Sequence, residues 1–385
     1  MKNHAKLLRD LSSATILFLL ITPSLSAEEN FSNTLVKFST ARDHQEQYLS
    51  EKLDLPIPKK AVVFFKAAMA GDCPGVSNAI KTILDPEEYN PRPELNNELW
   101  APIHETLGIY EVWDGWNRDS GLIRLFYEPV MASMPTGSIY FGGTDYGRFV
   151  ITTMNGVKEP SPLFCITQNA LADKKYMDCL EAVYGGDIWI PSASDSADAF
   201  RRYVDEVSSG IRERNAEMEI VAGRVQIKGA LGVMEINGIL CEMIFDHNKA
   251  KHDFYVEESY VIKWMYPYLV PHGLIIKMNR EKLDKLPENI IEKDTIFWRK
   301  YIDLLQGNAA FRGTIETQKA FSKMRSAIAG IYEFREKYSE AEAAYLQALK
   351  LYPVSPEANF RLAQMYEKRA EGEKAIALME KFLSL

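Results

Sequence analysis

The chain has 385 residues, of which 46% are hydrophobic, and its formal net charge at pH 7 is −8. This length fits two or three domains, and this hydrophobic fraction supports a packed core rather than a disordered chain. Because an acidic surface repels phosphate backbones, nucleic acid is not an expected partner.

The first 27 residues have the layout of a secretory signal peptide. Lys2, Lys6 and Arg9 precede an apolar run over residues 14–21, and small residues follow at 24–27. The run is shorter than the about 20 apolar residues that a membrane-spanning helix needs. We therefore expect cleavage before Glu28, a periplasmic or cell-envelope location, and no membrane span afterwards. The alternative is an uncleaved segment that tethers the protein to the membrane.

Residues 28–134 are predicted to be mainly helical. Residues 28–59 show little periodicity and are expected to form a weakly structured lead-in. Apolar periodicity then predicts a helical hairpin over 61–84, followed by helices over 94–113 and 120–134. The chain has four cysteines, none in a C-x-x-C pair, and we expect them to be mostly free and buried, although an oxidising compartment permits disulfides. They are Cys73, Cys165, Cys179 and Cys241.

Strand and helix patterns alternate over residues 135–290. Strands are predicted at residues 138–141, 163–167 and 188–190, each with a helix after it, and further strands at 224–227, 253–260 and 273–278. Such alternation is typical of βαβ units. The sequence therefore predicts an α/β domain with a small, mainly parallel sheet and flanking helices.

Polar and glycine residues follow the first three predicted strands. Ligands of open parallel sheets bind beyond the carboxyl ends of the strands, where helix N-termini point their N–H groups outward. The turns are therefore a candidate ligand site. The alternative is that Thr144 or Asp145 caps the helix after the first strand, and that Ser192 and Ser194 cap the helix after the third. The candidate residues are Gly142, Gly143, Thr144, Asp145, Gln168, Asn169, Ser192, Ser194 and Asp195.

The sequence offers no metal or cofactor motif. His247 and His252 stand in a polar segment, but their spacing fits no standard zinc site, so a solvated loop is the preferred interpretation. Neither a phosphate-binding loop nor a dinucleotide fingerprint nor a nucleophile elbow is present. No cofactor is expected, no catalytic residue can be named, and an enzyme is the less favoured class.

Residues 322–385 match themselves at an offset of 34 residues. A 34-residue period with small residues at fixed positions and aromatic residues between them resembles the tetratricopeptide repeat. A plain helical bundle is the alternative. Because two repeats cannot bury their own faces, we expect them to dock on the body through an aromatic helix over 294–306, capped by Asp294. The matching pairs are Ile328 with Leu362, Ala329 with Ala363, Tyr332 with Tyr366, Ala341 with Ala375, Tyr345 with Met379, and Ala348 with Phe382.

Three segments between residues 138 and 277 resemble a known bacterial family. They are similar to the soluble extracytoplasmic region of uncharacterised polytopic membrane proteins that are distantly related to protein O-mannosyltransferases. The resemblance covers about residues 95–385 and implies an extracytoplasmic α/β fold followed by helical repeats. The membrane spans that would carry glycosyl transfer have no counterpart in this sequence, so no catalytic residue is implied. The motifs are Ile139-Tyr140-Phe141-Gly142-Gly143-Thr144-Asp145, Cys165-Ile166-Thr167-Gln168-Asn169-Ala170-Leu171, Phe254-Tyr255-Val256, and Tyr268-Leu269-Val270-Pro271-His272-Gly273-Leu274.

Two functional hypotheses follow. The first is an exported cell-envelope protein that binds or scaffolds protein partners through its repeats. The second is a carbohydrate-related enzyme or glycan-binding domain that uses the strand-end turns, with an envelope glycan as ligand. The predicted organisation is a signal peptide (1–27), a mainly helical region (28–134), an α/β domain (135–290) and a helical region (291–385) with repeats over about 322–355 and 356–385.

Overall fold

A computed structural model describes residues 31–85, 91–143, 145–158, 160–210, 218–221, 224–227, 230–257 and 262–385. The predicted signal peptide and Thr144 lie outside these residues. Within the described ranges, no helix combines the length and the apolar character needed to cross a membrane.

A group of helices precedes the sheet. The predicted hairpin over 61–84 is confirmed, since α2 and α3 pack against each other and Asp72 accepts a hydrogen bond from Gly75 N at the start of α3. The expected lead-in over 28–59 was wrong, because α1 fills most of it. Tertiary packing stabilises α1 through its buried apolar side chains, which a weak periodic pattern does not reveal. The helices are α1 (Phe31–Leu53), α2 (Lys59–Met69), α3 (Cys73–Ile83), α4 (Trp100–Gly115) and α5 (Ser120–Ser133).

The central part of the chain combines a five-stranded sheet with helices. Its elements are β1 (Ser138–Gly142), α6 (Tyr146–Gly156), β2 (Leu163–Thr167), α7 (Lys174–Tyr184), α8 (Ala193–Ser208), β3 (Met218–Val221), β4 (Arg224–Ile227), α9 (Ala230–Asn248), β5 (Phe254–Val256), β6 (Leu269–His272) and β7 (Ile275–Met278). The order of the five strands is β2-β1-β5-β7-β6, and β3 pairs with β4 in a separate two-stranded sheet.

The sheet is mixed. Strand β1 pairs in parallel with both β2 and β5, with Tyr140 between Cys165 and Tyr255. The pairs β5–β7 and β6–β7 are antiparallel. The α/β class is thus confirmed, whereas the prediction of a mainly parallel sheet was wrong. The reason is a tight hairpin between β6 and β7, in which Gly273 adopts a φ of 66° that favours glycine.

The strand predicted at 188–190 was also wrong, because this segment pairs with no strand in the part of the chain that the structure describes. Its backbone is held instead by Asn248 at the end of α9. Trp189 N donates to Asn248 Oδ1 at 2.9 Å, and Asn248 Nδ2 donates to Trp189 O at 2.9 Å. The place beside β1 belongs to β5. The short apolar run at 188–190 therefore indicates burial, but it does not by itself indicate a strand.

The C-terminal part is helical, and its helices form two packed pairs, α12 with α13 and α14 with α15. The residues that match at the 34-residue offset are buried or half-buried in these pairs. The fully buried ones are Ile328, Ala329, Tyr332, Ala341, Tyr345, Ala348, Leu362, Ala363, Tyr366 and Ala375. The helices are α10 (Glu288–Gly307), α11 (Ala309–Arg312), α12 (Ile315–Phe334), α13 (Tyr338–Leu351), α14 (Pro356–Lys368) and α15 (Gly372–Leu383).

Helix α10 joins the first pair to the body, as expected. The Arg325 guanidinium lies 5.1 Å from the Trp298 ring centroid, and the Tyr301 and Phe321 rings are 6.0 Å apart. Asp294 does not cap this helix, because α10 already begins at Glu288 after Pro287. Asp294 is instead a buried partner of α12.

Candidate functional site

A chain of charges, of which Arg148 is buried and Glu105 and Arg42 are half-buried, lies beneath the carboxyl end of β1. Arg148 Nε, on α6, donates to Gly143 O at 2.9 Å, and Arg148 Nη1 lies 3.6 Å from Glu105 Oε1. The other oxygen of Glu105 is 2.6 Å from Arg42 Nε. The carboxylate of Glu105 thus bridges two guanidinium groups from α1 and α6. This arrangement fixes the turn after β1 onto the helical region, which is a structural role.

Glu257, directly after β5, explains two glycines on either side of the same turn, Gly142 at the end of β1 and Gly147 in α6. Its N–H donates to Phe141 O at 2.9 Å, and its side chain is completely buried. A Cβ atom added at Gly147 would collide with Glu257 Oε1, and one at Gly142 would press on both Glu257 and Arg148. These glycines therefore make room for a buried carboxylate of the protein itself.

The turn after β2 is tied to α9. Gln168 is fully buried, and its Oε1 lies 3.8 Å from Cys241 Sγ. Asn237 Nδ2 donates to Asn169 O at 2.9 Å, while Asn237 Oδ1 accepts from Ala172 N at 2.6 Å. The carbonyl of Asn169 and the N–H of Ala172 are thus engaged within the fold.

The third group of candidate residues lies at the opposite end of the strands from these turns. It consists of Ser192, Ser194 and Asp195. They follow Trp189, which binds Asn248 near the amino end of β5. Asn237 and Asn248 are separated by about 16 Å along α9, at 1.5 Å per residue. The candidate residues therefore do not converge on one site.

At the start of α8, Ser192 and Asp195 form a capping box. Ser192 N donates to Asp195 Oδ2 at 2.8 Å, and Asp195 N donates to Ser192 Oγ at 3.3 Å. The hydroxyl of Ser192, which donates to Asp195 Oδ2 at 2.6 Å, and the Ser192 N–H lower the pKa of Asp195 below its usual value. The capping role considered for Ser192 accounts for its position, and Asp195 completes the capping box.

Asp145 behaves differently from the other candidates. It precedes α6, but its side chain makes no capping hydrogen bond, so the capping alternative was wrong at this position. Its Oδ1 instead accepts from Lys323 Nζ on α12 at 2.7 Å. Asp145 therefore connects the segment after the carboxyl end of β1 to the C-terminal helices.

A cleft of about 260 Å³ lies beside this ion pair. Within it, Lys319 Nζ donates to Glu316 Oε1 at 2.7 Å. Burial raises the pKa of Tyr146, and the nearby carboxylate of Glu316 raises it further. The cleft is lined by Phe126, Asp145, Tyr146, Gly147, Glu316, Lys319, Ala320 and Lys323.

A second cavity, of about 190 Å³, lies beside α4 and is lined by Trp100, His104 and Leu107 among others. Burial, together with the nearby charge of Arg148, lowers the pKa of His104 to about 3, so this imidazole is neutral at pH 7. Among the described residues, no cluster of three or more His, Cys, Asp or Glu side chains could hold a metal ion. The four cysteines are free, and only Cys73 is not fully buried.

The last helix pair presents an apolar surface. Phe360 on α14 is 49% exposed, and on α15 Ile376 and Leu383 are 62% and 80% exposed. Phe360 also packs edge-on against Phe382, with ring centroids 5.8 Å apart. We call Phe360, Ile376, Phe382 and Leu383 the terminal apolar face.

Comparison with models of known protein families gave no match, and no curated protein is similar to the chain. The function of the protein is therefore inferred from the geometry of these sites.

Proposed function

We propose that this is an exported cell-envelope protein that binds a partner protein through its C-terminal helices, which we interpret as two tetratricopeptide repeats. The 34-residue offset supports the repeat assignment. Its small residues Ala329 and Ala341 are fully buried on α12 and α13, two helices that pack closely together. Because α12 is joined to the body, the second repeat is the one that offers a surface.

The carrying observation is the difference between α13 and α15. Helix α13 packs against α12 on one side and α14 on another, and it buries Ala344, Tyr345 and Ala348. At the matching positions of α15, Leu378, Met379 and Phe382 are only half-buried, and Leu385 beyond the helix is 65% exposed. The surface that α14 covers on α13 is thus uncovered on α15 within the described residues.

The proposed occupant is an apolar helix of a partner protein. On α13 the same kind of surface is covered by a helix, and the repeat places equivalent positions on α15. A contiguous exposed apolar patch is a common mark of a protein–protein contact. Helices that dock in this way present apolar residues at positions i, i+3, i+4 and i+7.

Replacing Ile376 with glutamate should abolish partner binding while leaving the fold intact. Ile376 is 62% exposed, so a charge there has little effect on the folded chain but would be desolvated at an interface. The measurement uses full-length protein with a photo-reactive phenylalanine analogue at position 383, cross-linked in envelope extracts. We expect one cross-linked partner, attached through a helical segment, and at least a tenfold loss of cross-linking in Ile376→Glu.

Val63→Glu is the matched control, because Val63 is 60% exposed on α2, away from the terminal apolar face. It should leave cross-linking unchanged. The proposal is contradicted if position 383 cross-links only to a second copy of the chain or to lipid, or if both variants lose the partner equally.

Export yields a separate expectation. The mature protein should begin near Glu28 and be recovered from the extracytoplasmic soluble fraction, because residues 1–27 carry the three-part signal pattern. N-terminal sequencing of the purified protein, together with cell fractionation, measures this. An intact N-terminus in the membrane fraction would show that the segment is an anchor. We also propose that the chain is related to the extracytoplasmic region of the polytopic membrane proteins that resemble protein O-mannosyltransferases.

A further inference from the structure

The cleft beside Asp145 is open to solvent. Asp145 and Lys323 are 32% and 41% exposed, and Glu316 and Lys319 are 38% and 42% exposed. Its volume of about 260 Å³ is below the roughly 300–1,000 Å³ of pockets that enclose drug-sized ligands. The cleft therefore has room for one small ligand that can reach it from solution.

The charges that line the cleft balance. Two carboxylates, Asp145 and Glu316, face two ammonium groups, Lys319 and Lys323, and each acid binds one lysine. An anionic ligand would be attracted by the two ammonium groups and repelled by the two carboxylates, and a cationic ligand the reverse. A neutral ligand with several hydroxyl groups can instead donate to the carboxylates and accept from the ammonium groups at the same time.

The remaining walls suit a ring-shaped ligand. Tyr146 is half-buried and presents an aromatic side chain, and Phe126 adds an apolar floor. Gly147 contributes a further part of the wall. A tyrosine combines an apolar ring with a polar hydroxyl, so it can contact the carbon face of a sugar while bonding to a hydroxyl group.

We propose that this cleft binds a neutral polyhydroxyl ligand of the size of one pyranose sugar. Asp145 and Glu316 accept hydrogen bonds from its hydroxyl groups, Lys319 and Lys323 donate to others, and Tyr146 lies against the ring. The site is separate from the terminal apolar face and does not depend on partner binding there.

The test is binding of three probes to the full chain, measured by saturation-transfer NMR and titration. The probes are methyl α-D-mannopyranoside, methyl α-D-glucopyranoside and N-acetylglucosamine, with sodium phosphate as an ionic competitor. We expect at least one sugar to saturate the site in the millimolar range, without competition from phosphate. Asp145→Asn and Ala320→Leu should each weaken this binding at least tenfold, the first by removing a charged acceptor and the second by filling the cleft.

Asp178→Asn is the matched control. Asp178 is also bound to a lysine, Lys174, and is 35% exposed, but it lies on α7 outside the cleft. It should leave sugar binding unchanged, as should Ile376→Glu, which separates this proposal from the protein-binding one. Absence of saturation by all three sugars, competition by phosphate, or unchanged binding in an Ala320→Leu protein of normal melting temperature would overturn the assignment.

Discussion

Arg325→Met should lower the free energy of unfolding by about 3–5 kcal/mol, the usual effect of removing one partner of a buried ion pair. Asp294 Oδ2 accepts from Arg325 Nη1 at 2.7 Å and from Tyr332 OH at 2.7 Å. The two charged side chains are 1% and 3% exposed. Without the guanidinium, the carboxylate of Asp294 would remain buried beside a single hydroxyl group. Urea denaturation followed by circular dichroism measures the change.

Two further variants give this measurement its control. In Arg325→Met with Asp294→Leu, no buried charge remains, so most of the lost stability should return. Lys350→Met removes an exposed pair with Asp303, 3.8 Å apart, and should change stability by only about 0–1 kcal/mol. A double variant no more stable than Arg325→Met would show that lost packing on Trp298 is responsible instead.

The ion pair between Arg325 and Asp294 could not be predicted from the sequence. Arg325 is not among the residues that match at the 34-residue offset, so the pattern predicts no partner for it. Asp294 was expected to cap a helix, because a lone aspartate before an apolar helical run has that signature. Neither expectation connects two residues that are far apart in the chain. Long-range pairing of buried charges leaves no periodic signal.

The sheet was predictable where local pattern and pairing agreed. Strands β1 and β2 each precede a helix, and both were found. Strand β6 was missed because Pro271 lies within it, and proline argues against a strand unless the strand is at an edge. The strand order places β6 at the edge, which the sequence does not reveal.

The candidate site was only partly predictable for a related reason. Asp145 was identified from its position after a strand, but its partner Lys323 belongs to the repeat region. Arg148 and Glu105, which fix the turn, stand within helical patterns that mark them as ordinary surface charges. The cleft is formed by elements far apart in sequence, so its lining emerges only from the tertiary structure.

Glu46 is the second group for which we expect a large effect. This residue on α1 is 1% exposed, and its Oε1 has no hydrogen-bond partner among the described residues. Burial, together with the nearby charge of Asp43, raises the pKa of Glu46 from 4.5 to about 8. The folded protein therefore keeps this carboxyl protonated at neutral pH, whereas the unfolded chain ionises it.

The sign of the pH dependence follows from this difference. Since the pKa is higher in the folded state, the favourable contribution of Glu46 is complete below pH 4.5 and is lost as the pH rises to about 8. With about 1.36 kcal/mol for each pKa unit, the loss is on the order of 5 kcal/mol. The free energy of unfolding of the wild type should decrease accordingly over this range, as far as Glu46 contributes.

Glu46→Gln should remove this contribution, because glutamine stays neutral at every pH. The variant and the wild type should be similarly stable at pH 5, and the variant should be more stable by several kcal/mol at pH 9. Urea denaturation at pH 5, 7 and 9 measures the difference, with Glu51→Gln on the exposed side of the same helix as control. That control should run parallel to the wild type, since the Glu51 side chain is exposed and lies outside the buried face of α1. If Glu46→Gln also runs parallel to the wild type, Glu46 is ionised in the folded protein, and a cation or water must reach it inside the helical region.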